Sequence, residues 1–139
     1  MYKRQISWGS KKQDAIALSS CEAEIIALSE AAKDVVYVRK LIAGLEKAPA
    51  SEPTELASDS KSATDIAYNP EHFGRVKHVE RRWFFVRDMV EKMEVRVPLI
   101  GTLDNLADFF TKPVKAKQFF EMRDRIMNVP LSESNRDYA

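Results

Sequence analysis

Cysteine is nearly missing from these 139 residues, with Cys21 standing alone. One thiol excludes an internal disulfide and the usual four-ligand zinc sites, and it fits a reducing compartment. Long apolar runs are missing too. No stretch approaches the roughly 20 apolar residues of a membrane-crossing helix, and the amino terminus lacks the apolar core of a signal peptide. The expectation is an intracellular protein, cytoplasmic or nuclear, without a membrane partner. Charge of one sign is also lacking, since 22 lysines and arginines meet 21 aspartates and glutamates. The average gives no sign of nucleic acid, so any basic footprint must be local. No internal repeat is evident. The length suits one ordinary domain, able to build a core without disulfide or metal staples.

What is present is one long helical pattern, from Ser19 to Leu45. From Glu24, the residues Leu28, Ala31, Val35, Val38, Ile42 and Leu45 follow at alternating steps of four and three, which lines them along one helix face. That face should be buried. Glu24 heads the line, whereas Glu22 points nearly the opposite way and has the Ser-x-x-Glu spacing of a capping box with Ser19. A carboxylate on an inward line is costly unless paired. Glu24 is therefore a candidate metal ligand, or else salt-bridged or lifted to the rim of the core. Gly44 is the natural C-terminal stop for this helix.

Around this helix the remaining elements are shorter. Ile6-Ser7-Trp8 reads as the end of a strand, Ser10 to Gln13 as a basic turn with Lys11 and Lys12 solvated, and Ala15 to Leu18 as a second extended piece. After a loop rich in alanine, serine and proline, Thr54 to Asp59 reads as a short strand, and Ser60 to Tyr68 as a helix stopped by Asn69-Pro70. Asp59 has two readings. It can cap the helix, or it can face a ligand at the carboxyl end of a strand, where open α/β sheets bind theirs. The loop Glu71 to His78 carries Arg75, Lys77 and His78, and leads into a helix from Val79 to Met93. There Val79, Trp83, Val86, Val90 and Met93 form the packed side, while Arg81, Arg82 and Arg87 lie off it and can grip phosphates or face water. His78 alone says little about metal binding or proton transfer.

Val95, Val97 and Leu99 have strand spacing, and Pro98 suggests an edge position. After Gly101, a short helix packs Leu103, Leu106, Ala107 and Phe110, with Asp108 on its other side facing a cleft or water. The last helix, Ala116 to Met127, is anchored by Phe119, Met122 and Ile126 and expected to cover the sheet. Residues Ser132 to Ala139 read as a frayed polar tail. Glu24, Asp59 and Asp108 thus stand apart as carboxylates that an α/β layer fold could gather at one sheet edge. Such a cluster suits Mg²⁺, and two ions about 4 Å apart would activate water and stabilise the leaving oxygen in phosphodiester hydrolysis.

At these residues the sequence resembles a known family. Ile6-Ser7-Trp8 through Lys11-Lys12-Gln13, Ala17 to Glu24, Ala27 to Lys33, Ser58 to Ala63, Asn69-Pro70, Arg75 to Val79, Phe84 to Arg87 and Leu106 to Pro113 closely resemble, in order, the ribonuclease H domain of copia-type (Ty1/copia) retrotransposon polyproteins. The resemblance runs from about Ile6 to Ile126. It implies an α/β fold, a ribonuclease H-like mixed sheet flanked by helices, over residues 6–127, with 128–139 as a polar tail. It also implies cleavage of the RNA strand of RNA–DNA hybrids with two Mg²⁺ ions, or Mn²⁺ in their place, in a polyprotein that also carries a reverse transcriptase domain. By motif position, Glu24, Asp59 and Asp108 match family metal ligands and catalytic residues. His78 matches a recurrent histidine of unassigned role, and Arg75, Lys77, His78, Arg81 and Arg82 become candidate nucleic-acid contacts.

One departure qualifies that expectation. The family's first catalytic aspartate lies on an initial strand upstream of Ile-Ser-Trp, and no acidic residue here precedes Asp14. The resemblance implies a truncated domain that lacks its first two strands and one carboxylate. Such a loss removes most two-metal activity and opens a sheet edge. A non-catalytic remnant that binds nucleic acid or docks on a partner is therefore the alternative, and a plain structural α/β fragment the third.

Overall fold

The computed structural model describes residues 8–14, 16–48, 51–69 and 80–129, the last range from the backbone alone at Glu80. The expected strand residues Ile6 and Ser7, and the basic loop Glu71 to His78, lie outside these residues. The chain divides into a larger unit, Gln13–Ile100, and a smaller one joining Met1–Lys12 to Gly101–Ala139. The architecture is α/β and mostly helical, with a two-stranded parallel sheet in the larger unit.

The larger unit is organised by α1, Ser20–Glu46. Ser19 holds extended backbone at its start and accepts a bond from the Glu22 amide at 3.1 Å, while the Glu22 carboxylate accepts one from the Leu18 amide at 2.7 Å. This is the expected capping box with its return bond shifted to Leu18. The Ala15–Leu18 strand is corrected: the described residues Ile16 to Leu18 form no strand, because the Leu18 amide serves the cap instead of a ladder. The buried face also differs from the expected line. It comprises Glu22, Ile25, Ile26, Leu28, Ser29 and Ala32, whereas Val35, Val38 and Ile42 are half-buried and Leu45 exposed. A strict seven-residue repeat drifts about 20° per heptad on a straight helix, so a line three heptads long cannot keep facing one partner. The helix runs through Gly44, and Lys47 takes the left-handed stop at φ 54°.

Strand β1, Thr54–Glu55, runs parallel to β2, Val95–Arg96. The ladder continues beyond them, with the amides of Thr54, Leu56 and Ser58 donating to the carbonyls of Glu94, Arg96 and Pro98 at 2.8–3.0 Å, and the Ile100 amide donating to Ser58. On the far side of β2 the Val97 amide donates to the Tyr68 hydroxyl at 2.8 Å, closing part of that edge. Between the strands lie α2, Lys61–Tyr68, and α3, Glu80–Glu91. The expected packed side of α3 holds at Trp83 and Val86. Met89 rather than Met93 completes it, because Met93 adopts φ 57° and turns the chain toward β2.

Ile25 and Leu28 from α1, Ala63 and Ala67 from α2, Trp83 and Val86 from α3, and Val97 beside β2 form one apolar cluster, edged by Cys21, Leu56, Ile66 and Val90. Arg39 ties α1 to the entries of both strands. Its guanidinium donates to the Glu94 carboxylate at 2.6 Å, the Thr54 hydroxyl at 3.0 Å and the Glu52 carbonyl at 2.7 Å. The fork geometry of arginine allows such divided donation.

The smaller unit contains a 3₁₀ turn, Thr102–Asp104, then α4, Asp108–Thr111, and α5, Ala116–Met127, the last with its expected bounds. The single short helix expected around Leu103 to Phe110 is thus two pieces, and Leu103 is exposed. Met122 is buried on α5. Phe109 stacks on Phe119 with centroids 4.9 Å apart and meets Phe110 edge-on at 5.1 Å.

Candidate functional site

The carboxyl end of the β1 ladder places Asp59. Its neighbours settle one of its two readings. Ser60, not Asp59, is the N-cap of α2, its hydroxyl accepting from the Ala63 amide at 3.3 Å. The Ser60 amide is in turn taken by the Ser58 hydroxyl at 3.2 Å. Asp59 is left half-buried between them.

Glu24 occupies the flank of the buried face of α1 and is half-buried. One turn before it, Cys21 meets α2: burial pushes the Cys21 thiol up, the Glu24 carboxylate pushes it further, and a hydrogen bond with Ser62 opposes both. Cys21 thus ties the Glu24 end of α1 to the first turn of α2, just after Asp59. Removing the Glu24 charge lowers the cost of a neighbouring thiolate. Glu24→Gln should accordingly speed alkylation of Cys21 by iodoacetamide between pH 8 and 9, by about two- to threefold. An unchanged rate would separate the two side chains.

Asp108, expected to face a cleft or water, does neither. It is 6% exposed at the start of α4 and paired with Lys112 at 2.8 Å. Its carboxylate falls one helical turn before the lysine, which folds back over it. Asp108 belongs to the smaller unit, Glu24 and Asp59 to the larger. Among the described residues no three histidine, cysteine, aspartate or glutamate side chains are grouped to hold a metal ion. The oxygens are of the kind Mg²⁺ takes.

Of the candidate nucleic-acid contacts, Arg75, Lys77 and His78 lie outside the described residues. Arg81 is exposed and Arg82 half-buried on α3, and neither joins an ion pair among the described residues. Arg87 is committed elsewhere, bonded to Glu91 at 2.7 Å and lying over the Trp83 ring. A pocket of about 420 Å³, lined by Arg39, Lys40, Ala43, Ser51, Lys92, Met93 and Glu94, opens at the amino ends of the strands, away from Asp59. No local pattern in the sequence marks it, because its lining comes from three separate segments.

The comparisons with known proteins point one way. The chain is 35% identical over 116 residues to the retrovirus-related Pol polyprotein from transposon TNT 1-94 of Nicotiana tabacum, covering 82% of this chain and 8% of that protein. It is 33% identical over 129 residues to the Pol polyprotein from transposon RE2 of Arabidopsis thaliana, covering 91% and 9%. The chain is homologous to a segment of the copia-type retrotransposon Pol polyproteins. A match to the Ty1-JR2 Gag-Pol polyprotein of Saccharomyces cerevisiae, 35% identical over 112 residues, covers 79% of this chain and 6% of that one. The chain thus spans under a tenth of the length of these Pol relatives. No family model matches it, and no solved structure does. Among the described residues, no helix is long and apolar enough to cross a membrane.

Proposed function

We propose that this retrotransposon Pol segment is a ribonuclease H-type domain that acts on the RNA strand of RNA–DNA hybrids beside a reverse transcriptase domain. The observation that carries the reading is Asp59, held at the carboxyl end of a parallel ladder and relieved of capping by Ser60. Ligand sites in open α/β sheets gather at such strand ends. Glu24, on the helix that meets the first turn of α2 through Cys21, is the second carboxylate of the site.

Mg²⁺, when bound, would supply water activation and leaving-group stabilisation. Among the described residues no three such side chains are grouped to hold a metal ion, so no catalytic step is assigned to them. The chain's own residues orient the substrate. Arg81 and Arg82, on one turn of α3, reach for phosphates, which position a duplex without reading its bases, and an RNA–DNA hybrid is recognised through its shape.

The test is cleavage of an end-labelled RNA annealed to DNA, with Mg²⁺ or Mn²⁺ and with the ions removed by EDTA. Metal-dependent products from the hybrid, absent with single-stranded RNA, are expected. Hybrid binding that falls steeply with salt, with no products at any metal concentration, would replace the enzyme by a binding module. That second reading has its own support in the outer edge of β1, where the Glu55 and Ala57 amides find no partner among the described residues. Such an edge can accept another strand.

A further inference from the structure

The near-neutral chain hides an uneven distribution. The smaller unit carries ten lysines and arginines against six acids, the larger twelve against fifteen. Within the described part of the smaller unit, Asp104, Asp108 and Asp124 are each ion-paired, leaving Glu121 as the unpaired acid. Lys11, Lys12, Lys115 and Lys117 join no ion pair there. A local basic footprint that the overall balance does not reveal lies on this unit.

The same unit presents an aromatic ring in an unusual way. Trp8 is 68% exposed, yet one face of its indole is stacked on Phe110, with centroids 5.4 Å apart and planes 14° from parallel. Phe110 is held edge-on by Phe109, which stacks on Phe119. A row of rings thus fixes the indole from behind while most of its surface stays open to solvent. Exposed apolar side chains are ordinary when scattered singly. An exposed indole with one face stacked on Phe110, and lysines in no ion pair among the described residues three and four residues along the chain, is different, because it joins the two elements of single-strand recognition: a stacking surface and cations for the phosphates.

We propose that Trp8, with Lys11 and Lys12, is a stacking site for an unpaired nucleobase of a single-stranded nucleic acid. This rests on the nucleic-acid reading above and adds a second contact to it. The indole takes the base on its open face, and the two lysines take the adjoining phosphates. Stacking on an aromatic ring is indifferent to base identity, so the site responds to single-strandedness and not to sequence.

The two tryptophans make the test direct. Trp83 is buried and its indole N–H donates to the Ile66 carbonyl at 2.8 Å, so a quench of solvent-exposed emission reports Trp8. The full chain is titrated, without metal, with a 12-residue oligo(dT), a blunt RNA–DNA hybrid, and the same hybrid with a single-stranded overhang. The overhang should tighten binding about tenfold over the blunt hybrid and quench the exposed emission. Trp8→Ala should lose that gain and Trp8→Tyr should keep it. Lys11→Ala and Lys12→Ala should each reduce the salt slope by about 0.7. Circular dichroism and the Trp83 emission report whether each variant is folded.

Equal binding of blunt and overhanging hybrids, or an overhang gain that survives Trp8→Ala, overturns the inference while leaving hybrid recognition standing. Oligo(dT) binding through Trp8 without any affinity for the blunt hybrid does the reverse. Absence of binding to all three overturns both.

Discussion

Trp83→Ala should cost about 3–5 kcal/mol, the range for removing a buried large aromatic side chain. Trp83 is 3% exposed and packs where α1, α2 and the chain after β2 meet, among Ile25, Leu28, Ala63, Ala67 and Val97. It also bonds the Ile66 carbonyl on α2 through its indole nitrogen. Truncation opens a cavity and leaves that carbonyl without its donor, two losses that add. A domain of this size has about 5–15 kcal/mol in all, so the variant should lose a large part of its stability. Trp83→Phe separates the contributions, keeping most of the packing and losing the bond, at about 1–2 kcal/mol. Urea unfolding followed by circular dichroism measures both. A cost under 1 kcal/mol for the alanine variant would mean that the cluster is not the core of the larger unit.

Local signals in the sequence were the ones that survived into the structure. The α2 helix, its stop at Asn69, the α5 bounds and the Ser19–Glu22 cap each depend on a few neighbouring residues, and each is present. Signals read over long distances fared worse. The line from Glu24 to Leu45 assumed one partner along 27 residues of helix, whereas α2 and α3 bury its first half. Gly44 offered a stop that the helix did not use, since a glycine permits a left-handed residue without requiring one. The pairing of Asp108 with Lys112 was visible at four-residue spacing. Periodicity alone places the aspartate outward and gives no weight to that spacing.

The same distinction explains why the candidate site is only partly legible. Asp59 could be placed at a strand end from its neighbours, because a strand that turns directly into a helix leaves one residue at the junction. Its relation to Glu24 rests on the packing of α1 against α2, which no pattern within either helix specifies. Cys21 supplies that relation by joining Glu24 to Ser62 electrostatically and by hydrogen bond. The unpaired lysines of the smaller unit were also invisible to a charge count, since they emerge once each neighbouring aspartate is matched with its own cation.

Adjacent substitutions at the β1–α2 junction should divide stability from activity. Ser60→Ala removes the side chain that satisfies the Ala63 amide, at a cost of about 1 kcal/mol, and should leave hybrid cleavage essentially intact at a temperature where the variant is folded. Asp59→Asn keeps the shape and takes away the charge, and since Ser60 already caps the helix, its stability should change by less than about 0.5 kcal/mol. A neutral amide is a poor ligand for a hard divalent cation, so metal-dependent cleavage should fall by two orders of magnitude or more. Loss of one positioned group at a phosphoryl-transfer site carries penalties of that size. The pair of measurements, urea midpoint and cleavage rate, has a distinct signature for each role. If Asp59→Asn lost stability and kept its cleavage rate, Asp59 would be a structural residue and the ladder end would hold no site. If Ser60→Ala lost cleavage as fully as Asp59→Asn, the orientation of the α2 amino terminus, and not the aspartate charge, would be what the reaction needs.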